Sequence, residues 1–262
     1  MDVPAVRALA LMSNTAPRIQ CEGRSNCSAC ALRDKSVCRD IFYLQQHTEF
    51  DSGIDDCRCA HGSTLYSIAA PVDALYCIRE GVVKLAKPWP GGEQRIVRVL
   101  KSGDIAEIEA IYSPTFEHTA SAIGEVRACR IPIAWLRRFA AASWRLQTRL
   151  LNESVAALRE TETWHMQLTG EATPARTRVA RLMLRLRADA RDCIHRFSLE
   201  DMGAVIGVAP ETVSRIISDF GRQGILVKTD CAAADRGCFR GDIPALEKIA
   251  LEFRSNPPAI PN

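Results

Sequence analysis

The stretch FSLEDMGAVIGVAPETVSRIISDF, residues 197–220, gives the clearest structural signal in the sequence. Ser198 together with Asp201 has the form of a capping box and predicts the start of a short helix. Gly207 predicts the end of that helix, because glycine accepts the left-handed backbone of a tight turn. Pro210 suits the first position of a second helix, where an N–H group would have no helical partner. Two helices joined by such a turn predict a helix-turn-helix, whose second helix can enter the major groove of DNA.

The predicted second helix has one apolar and one polar face. The apolar positions, which we expect to be buried, are Val213, Ile216, Ile217 and Phe220. On the polar face, Glu211 can accept a hydrogen bond from cytosine, Arg215 can donate two to guanine, and Ser214 can contact a base or a phosphate. Thr212 is a further candidate for a backbone contact. The alternative is a solvated face in an ordinary helical domain, and Ala209 is a poor N-cap for a recognition helix.

The residues after this helix predict a wing of two strands. Residues 224–229 (GILVKT) read as one strand and residues 236–240 as the returning strand, with a connection longer than a tight hairpin. Basic side chains here would contact phosphates, which supply affinity and salt dependence rather than sequence selectivity. The candidates are Arg222, Lys228, Arg236 and Arg240. Each of these residues could instead be an ordinary basic residue of the surface that does not contact DNA.

The composition is that of a globular protein. The chain has 262 residues, 47% apolar and 25% charged, which is enough for more than one core, and its net charge of +3 indicates no partner. We find no signal peptide and no apolar run of about 20 residues, so we expect a cytoplasmic protein without a membrane contact. Neither a substrate cleft nor a nucleophile–base pair can be located, so we do not expect an enzyme.

The part of the chain before the helix-turn-helix divides into two kinds of pattern. About residues 42–132 predict short strands separated by glycine turns, which is typical of an antiparallel roll or barrel. Residues 133–168 contain no glycine or proline and predict one long helix. Leu151, Leu158 and His165 recur in it at heptad spacing, which favours a dimer over packing on its own domain. The intervening seam positions are either Ser154 and Thr161 or Val155 and Glu162.

Four cysteines lie close together in residues 21–38 (CEGRSNCSACALRDKSVC). The total of 11 cysteines is odd, and with no route to an oxidising compartment we expect them to be reduced. Such a cluster is more often metal-binding or redox-active than a disulfide framework. Basic residues surround this cysteine cluster, and their positive charge favours the thiolate form of the cysteines. The alternative is that they belong to a solvated basic loop. They are Arg24, Arg33, Lys35 and Arg39.

The order of these parts, with Glu211-Thr-Val-Ser-Arg215 in the second helix, resembles the CRP/FNR family of bacterial transcription regulators from about residue 21 to residue 249. The resemblance implies an α+β fold with an N-terminal cyclic-nucleotide-binding-like β-roll, a long dimerisation helix and a C-terminal winged helix-turn-helix. The expected segments are a cysteine-rich cluster-binding leader (1–40), a β-roll sensor domain (41–132), a dimerisation helix (133–168), a winged-helix DNA-binding domain (169–250) and a flexible tail (251–262). It further implies a homodimer that binds double-stranded DNA. The expected site is an inverted repeat in which TTGAT and ATCAA are separated by four base pairs. RNA polymerase is an expected second partner.

FNR-type members of that family hold an oxygen-labile 4Fe-4S cluster with three leader cysteines and one from the β-roll. The resemblance assigns as ligands Cys27, Cys30, Cys38 and Cys129. Three neighbouring soft thiolates and a distant fourth suit a cubane, whereas zinc more often shows two CxxC pairs. Cys21 could be a spare thiol or replace a ligand, and Cys57 with Cys59 could be a secondary redox pair.

The function implied is an oxygen-responsive regulator whose cluster promotes dimerisation and DNA binding under anaerobic conditions. We expect no cyclic nucleotide, because residues 103–120 offer no arginine for its phosphate. Without a cation, Glu107, Glu109 and Glu117 would also repel a phosphodiester. The alternatives are a haem or nitric-oxide sensor of the same family, and a zinc or thiol-redox protein.

Overall fold

The structure is a computed structural model that describes residues 19–47, 53–89, 93–170, 173–187, 193–229 and 238–252. Contacts divide the chain into a first compact unit, Met1–Pro90 with Arg98–Glu160, and a second, Gly91–Val97 with Thr161–Asn262. Within the described ranges, no helix combines the length and the apolarity that crossing a bilayer requires. The expected tail lies outside these ranges from residue 253 onward.

An antiparallel sheet forms the centre of the first unit. Its strands in the described ranges are β1 (Gln20–Arg24), β2 (Asp55–Cys59), β3 (Thr64–Tyr66), β4 (Ala74–Pro88), β5 (Gln94–Leu100), β6 (Ile105–Ala106) and β7 (Thr119–Pro132). The order is β1-β2-β7-β4-β5, with β3 paired to β7 and β6 paired to β4. The long strands β4 and β7 carry inward apolar residues such as Leu75, Ile78 and Val126, all fully buried. The predicted strand-rich domain is confirmed.

The cysteine-rich leader is part of this sheet, which the sequence did not predict. Its strand β1 pairs antiparallel with β2. A short 3-10 helix, Cys27–Ala29, and the helix α1 (Ser36–His47) follow. Val37 and Ile41 of α1 are buried, so the helix is packed against the unit.

The long helix predicted over residues 133–168 is two helices, α2 (Ile133–Ala142) and α3 (Trp144–Leu168). Ser143 between them is extended, with φ −130° and ψ 104°. Its hydroxyl accepts a hydrogen bond from the N–H of Leu146 at 3.3 Å. Serine is a favourable N-cap, so it starts a new helix where helix propensity alone predicts continuity.

The second unit is a small α+β domain. Its described elements are α4 (Ala175–Arg185), β8 (Cys193–His195), α5 (Leu199–Ile206), α6 (Pro210–Arg222), β9 (Leu226–Thr229), β10 (Cys238–Gly241) and α7 (Ile243–Ala250). The strands form an antiparallel sheet in the order β8-β10-β9. Val179, Met183 and Phe220 are among the fully buried core residues. The predicted winged helix-turn-helix is therefore confirmed, while Arg236 and the connection before it lie outside the described residues.

Candidate functional site

The turn between α5 and α6 has the geometry that the sequence predicts. The Ser198 hydroxyl accepts a hydrogen bond from the N–H of Asp201 at 3.0 Å, and Gly207 ends α5 in the left-handed region with φ 69°. Ala209 caps α6 without a side-chain hydrogen bond, and Pro210 follows at the start of the helix. The left-handed Gly207 and the proline in the first turn thus set where α6 begins, without a side-chain cap.

The polar face of α6 is accessible from its first turn. Glu211 and Arg215 are exposed, whereas Thr212 and Ser214 are half-buried. Glu211 lies three and four positions from Ser214 and Arg215, so the three side chains share one helix face. In the part of the chain that the structure describes, no ion pair engages Glu211 or Arg215. Both charges are therefore available to a partner.

Arg176 of α4 contacts the C-terminal end of α6. Its guanidinium donates to the Asp219 carboxylate and, at 2.8 Å, to Gln223 Oε1. It also lies 4.6 Å from the centre of the Phe220 ring, within cation–π range. The hydrogen bond from Arg176 lowers the pKa of Asp219, with Arg222 contributing in the same direction. Arg222, a predicted phosphate contact, is thus paired with Asp219 at 3.3 Å, although its side chain is 76% exposed.

A groove of about 550 Å³ lies beside the polar face of α6. Its lining includes Arg196, Ser198, Ser214, Ser218 and Lys228. Lys228 is exposed on β9, as its predicted phosphate contact requires. The sequence reasoning missed Arg196 and Ser218, because the approach of β8 to α6 is set by tertiary packing rather than by a local motif.

The thiols assigned to the leader and the β-roll lie on the first unit. Cys27 and Cys30 flank the short 3-10 helix, Cys38 is on α1 and Cys129 is on β7. The Ser25 hydroxyl donates to Cys129 Sγ at 3.4 Å. Charges on Cys27 and Cys30 act on Cys129, which places these thiols in one neighbourhood. Among the described residues, however, no three potential ligand side chains already converge around a single-ion position.

Cys77 is a fifth thiol at this place, which the sequence reasoning missed. Its Sγ lies 3.4 Å from Cys38 Sγ. It is also directly opposite Cys129 in the β4–β7 register, and opposed residues on antiparallel strands project to the same face. Only the pairing of strands that are distant in sequence brings Cys77 here, so no local spacing could have indicated it.

Cys38, Cys77 and Cys129 differ in how readily they ionise. A hydrogen bond with Cys77 lowers the pKa of Cys38. The same hydrogen bond, followed by burial, raises the pKa of Cys77 well above its usual value. Burial raises the pKa of Cys129 to about 11, although Ser25 and Arg79 act in the opposite direction. Of these three thiols, Cys38 is therefore the one whose environment favours the thiolate.

Arg79, on strand β4 of the sheet, supplies positive charge near the thiols. Arg79 donates to Asp56 Oδ2 at 2.9 Å, and Asp56 lies opposite Cys129 in the β2–β7 register. Burial acts to lower the pKa of Arg79, but the negative charges of Cys129 and Asp56 raise it overall. The leader arginines expected in this role are engaged elsewhere, Arg24 with Asp55 at 2.8 Å and Arg33 with Asp34 at 3.3 Å.

Cys21 and Cys57 form a disulfide across β1 and β2. The two residues lie opposite each other in the strand register. The expectation that every cysteine is reduced is wrong for this pair, and Cys21 is not among the free thiols. Nor do Cys57 and Cys59 form a redox pair, because Cys59 is a separate, buried free thiol whose pKa burial raises to about 12.

The heptad positions of α3 form an exposed stripe on this chain. Leu151 is 59% and Leu158 60% exposed, which is high for leucine. Val155, Glu162 and His165 are exposed as well. The competing seam residue Ser154 is half-buried, and its hydroxyl donates to the Leu150 carbonyl at 2.9 Å. Of the two registers, the one through Val155 and Glu162 lies on the exposed face.

Two of the three carboxylates at the expected nucleotide pocket, Glu109 and Glu117, are paired with cations, contrary to the sequence expectation. Arg98 of β5 contacts Glu109 at 3.0 Å, and Lys87 of β4 contacts Glu117 at 3.3 Å. Glu107 is buried in a left-handed conformation with φ 50°, and one of its oxygens accepts from the N–H of Glu117 at 2.6 Å. Both cations lie on strands that precede residues 103–120, so that segment alone did not reveal them.

Comparison with known proteins agrees with this architecture. Residues 57–143 match the cyclic nucleotide-binding domain, and residues 177–234 match the Crp-like helix-turn-helix domain. The chain is 26% identical to the transcriptional regulatory protein btr of Bordetella pertussis, over 77% of this chain and 86% of that protein. It is 29% identical to the nitrogen fixation regulation protein FixK of Bradyrhizobium diazoefficiens, over 76% and 85%.

Among solved structures, FixK2 from Bradyrhizobium japonicum superposes with a TM-score of 0.64 at 23% identity, over 76% of this chain and 98% of that one, and so shares the fold. The two domain matches occur in the order sheet domain, then helix-turn-helix, and together they span more than half of the 262 residues. The chain belongs to the CRP/FNR family of DNA-binding transcription regulators.

Proposed function

We propose that this protein is an oxygen-responsive transcription regulator whose DNA binding depends on a 4Fe-4S cluster. The proposed ligands are Cys27, Cys30, Cys38 and Cys129. The observation that supports the proposal is the set of interactions among these free thiols: Cys27 and Cys30 act electrostatically on Cys129, and Cys77, which contacts Cys38, lies opposite Cys129. Soft thiolates are the donors that such clusters take, so the residues present fit the group.

A cluster held by these residues would supply an oxygen-sensitive connection between the leader and β7. Ser25 orients Cys129 through its hydrogen bond, and Arg79 offsets the negative charge that four thiolates bring. Because Cys38 is on α1 and Cys129 on β7, loss of the connection would free the leader from the sheet at one of its attachment points.

The DNA-binding surface is the polar face of α6 with its neighbouring groove. Glu211, Ser214 and Arg215 contact bases, and Thr212, Arg222 and Lys228 contact the backbone. A homodimer would place two recognition helices about 34–36 Å apart, on an inverted repeat of the form TTGAT, four base pairs, ATCAA. The exposed stripe Leu151, Val155, Leu158, Glu162 and His165 forms the dimer seam in this proposal. Like charges on Glu162 across the seam would make association conditional on the cluster.

This role needs no catalytic site, and DNA as the partner places the protein in the cytoplasm. RNA polymerase is the expected second partner. We expect no cyclic nucleotide, because Arg98 and Lys87 at its expected pocket are already paired with Glu109 and Glu117, and a phosphate would have to displace these carboxylates.

The test is an ultraviolet-visible spectrum with iron and sulfide analysis on anaerobically purified protein, before and after exposure to air. About four irons per chain and a broad charge-transfer band that bleaches in air are expected. Cys129→Ala should lose the iron, whereas Cys193→Ala, on β8 of the other unit, should retain it. DNA binding should fall in parallel with bleaching.

Other results would contradict the proposal in distinguishable ways. A Soret band would identify haem, and a colourless protein carrying zinc would identify a zinc site. Metal-free protein that dimerises and binds the repeat at full strength in air would exclude the oxygen switch.

A further inference from the structure

We propose that Cys38 and Cys77 are a reactive dithiol that closes to a disulfide when no cluster is bound, joining α1 to β4. Because Cys38 is also a proposed cluster ligand, this inference deepens the proposed function. Its chemistry nevertheless requires only the two thiols and an oxidant.

The geometry singles out this pair. The two Sγ atoms are 3.4 Å apart, and a disulfide needs about 2.05 Å, so closing the bond requires a movement of little more than 1 Å. Cys129, the other neighbour of Cys77, is already hydrogen-bonded to Ser25. The bond would join residues on two separate elements, a helix of the leader and a central strand of the sheet.

The two thiols differ in access, which assigns their roles. Cys38 is half-buried, which leaves part of it within reach of a small oxidant, whereas Cys77 is 1% exposed. An oxidant therefore meets Cys38 first, and Cys77 reacts only with what forms on Cys38. This division into an attacking and a resolving thiol is the arrangement that redox-sensitive cysteines use.

A hydroperoxide such as hydrogen peroxide is the oxidant class that fits. The Cys38 thiolate attacks one peroxide oxygen and the O–O bond breaks, which gives a sulfenic acid and, with a proton, water. The Cys77 sulfur then attacks Cys38 Sγ and breaks the S–O bond, and the leaving hydroxide takes the Cys77 proton as a second water. Two thiols lose two electrons in total, and one hydrogen peroxide becomes two waters.

The consequence is a second, oxidised form of the site. While Cys38 is bonded to Cys77 it cannot bind iron, and α1 is held on β4 instead. A thiol reductant must reopen the bond before the site can be loaded. The chain would thus respond to peroxide even in its metal-free form.

The experiment maps disulfides in the metal-free, full-length protein after stoichiometric hydrogen peroxide. Free thiols are alkylated, the protein is digested without reduction, and the peptides are identified by mass spectrometry. We expect a Cys38–Cys77 linked pair, lighter than the two free peptides by two hydrogen atoms and separated by dithiothreitol. The Cys21–Cys57 linkage appears as a different peptide pair and does not interfere.

Two variants sharpen the result. In Cys77→Ala the linkage is lost and dimedone traps the Cys38 sulfenic acid, while Cys59→Ala, which removes another buried thiol of the same sheet, retains the linkage. Circular dichroism checks that both variants fold; should Cys77→Ala fail to fold, the wild-type map still identifies the partner of Cys38. Linkage of Cys38 to Cys27, Cys30 or Cys129 would overturn the dithiol. So would a wild-type Cys38 sulfenic acid that persists, so that dimedone added after the peroxide is consumed still traps it.

Iron uptake separates this inference from the proposed function. Peroxide-treated wild-type protein should take up iron and sulfide only after dithiothreitol. If the linkage forms but reduced protein never binds iron, the cluster proposal fails and the dithiol stands. If reduced protein binds iron and no Cys38–Cys77 linkage forms, the dithiol fails and the cluster proposal stands.

Discussion

The α-carbon of Gly203 in α5 packs against the carbonyl oxygen of Val208, so closely that a Cβ at residue 203 would lie 2.6 Å from that oxygen. The contact is with backbone, which cannot move aside as a flexible side chain could. The turn of the helix-turn-helix can therefore fold tightly onto α5 only if residue 203 has no side chain.

Gly203→Ala should destabilise the protein by about 1–3 kcal/mol, the usual cost of forcing an extra methyl group into a packed site. Gly221→Ala is the matched control, because its Cβ would meet its nearest neighbour at an ordinary 3.9 Å. Alanine is the better helix former, so this control should be neutral or stabilising by up to about 1 kcal/mol. Urea unfolding of both variants measures the difference, and equal stabilities would contradict the proposed close approach.

Arg215 and Lys228 should affect DNA binding in different ways. Arg215→Ala should cost about 1–3 kcal/mol on the specific site and relax selectivity at one base pair, because it removes a base contact. Lys228→Ala should weaken binding to all sequences alike and reduce the salt slope by about 1, because it removes a phosphate contact. Titrations of specific and scrambled duplexes at several salt concentrations separate the two effects. A uniform loss for Arg215→Ala would remove it from the base contacts.

The Arg176–Asp219 pair should make stability depend on acid pH. Arg176 holds the pKa of Asp219 below its unfolded value of about 3.9, so both states are ionised at neutral pH and the stabilisation is fully present. As pH falls below that value, the unfolded chain takes up the proton first, and the contribution is lost on the way down to the folded pKa. Arg176→Lys cannot reproduce the forked contact to Asp219 and Gln223 or the stacking on Phe220. Its unfolding free energy should be lower at pH 7 and should fall less steeply below pH 4; equal slopes would show that another carboxyl dominates.

Features set by neighbouring residues could be predicted from the sequence, and those set by distant pairing could not. Ser198, Gly207 and Pro210 act on their own turn, so the limits of α5 and α6 follow from residue types. The helix break at Ser143 was not predicted, because the residues on both sides of it favour a helix. Cys77 is brought opposite Cys129, and Arg79 close to Asp56, only by the strand order β2-β7-β4. The sequence suggested Cys27, Cys30, Cys38 and Cys129, with Cys21 as an alternative ligand. The sheet adds Cys77, and the disulfide with Cys57 removes Cys21.

The exposed stripe of α3 gives a test of the dimer that is independent of the cluster. Burying a leucine side chain contributes about 1.5–3 kcal/mol, and each 1.4 kcal/mol changes an equilibrium constant about tenfold. Leu158→Glu removes one such side chain from each copy and places two like charges near the seam, so the dimer dissociation constant should rise at least about a hundredfold. Ala156→Glu adds the same charge on α3, at an exposed position about 140° around the helix from Leu151, and should leave association unchanged. Sedimentation equilibrium of both variants and the wild type, each at matched iron content, gives the constants. If Leu158→Glu remains as dimeric as Ala156→Glu, the stripe does not form the seam and another surface must join the two copies.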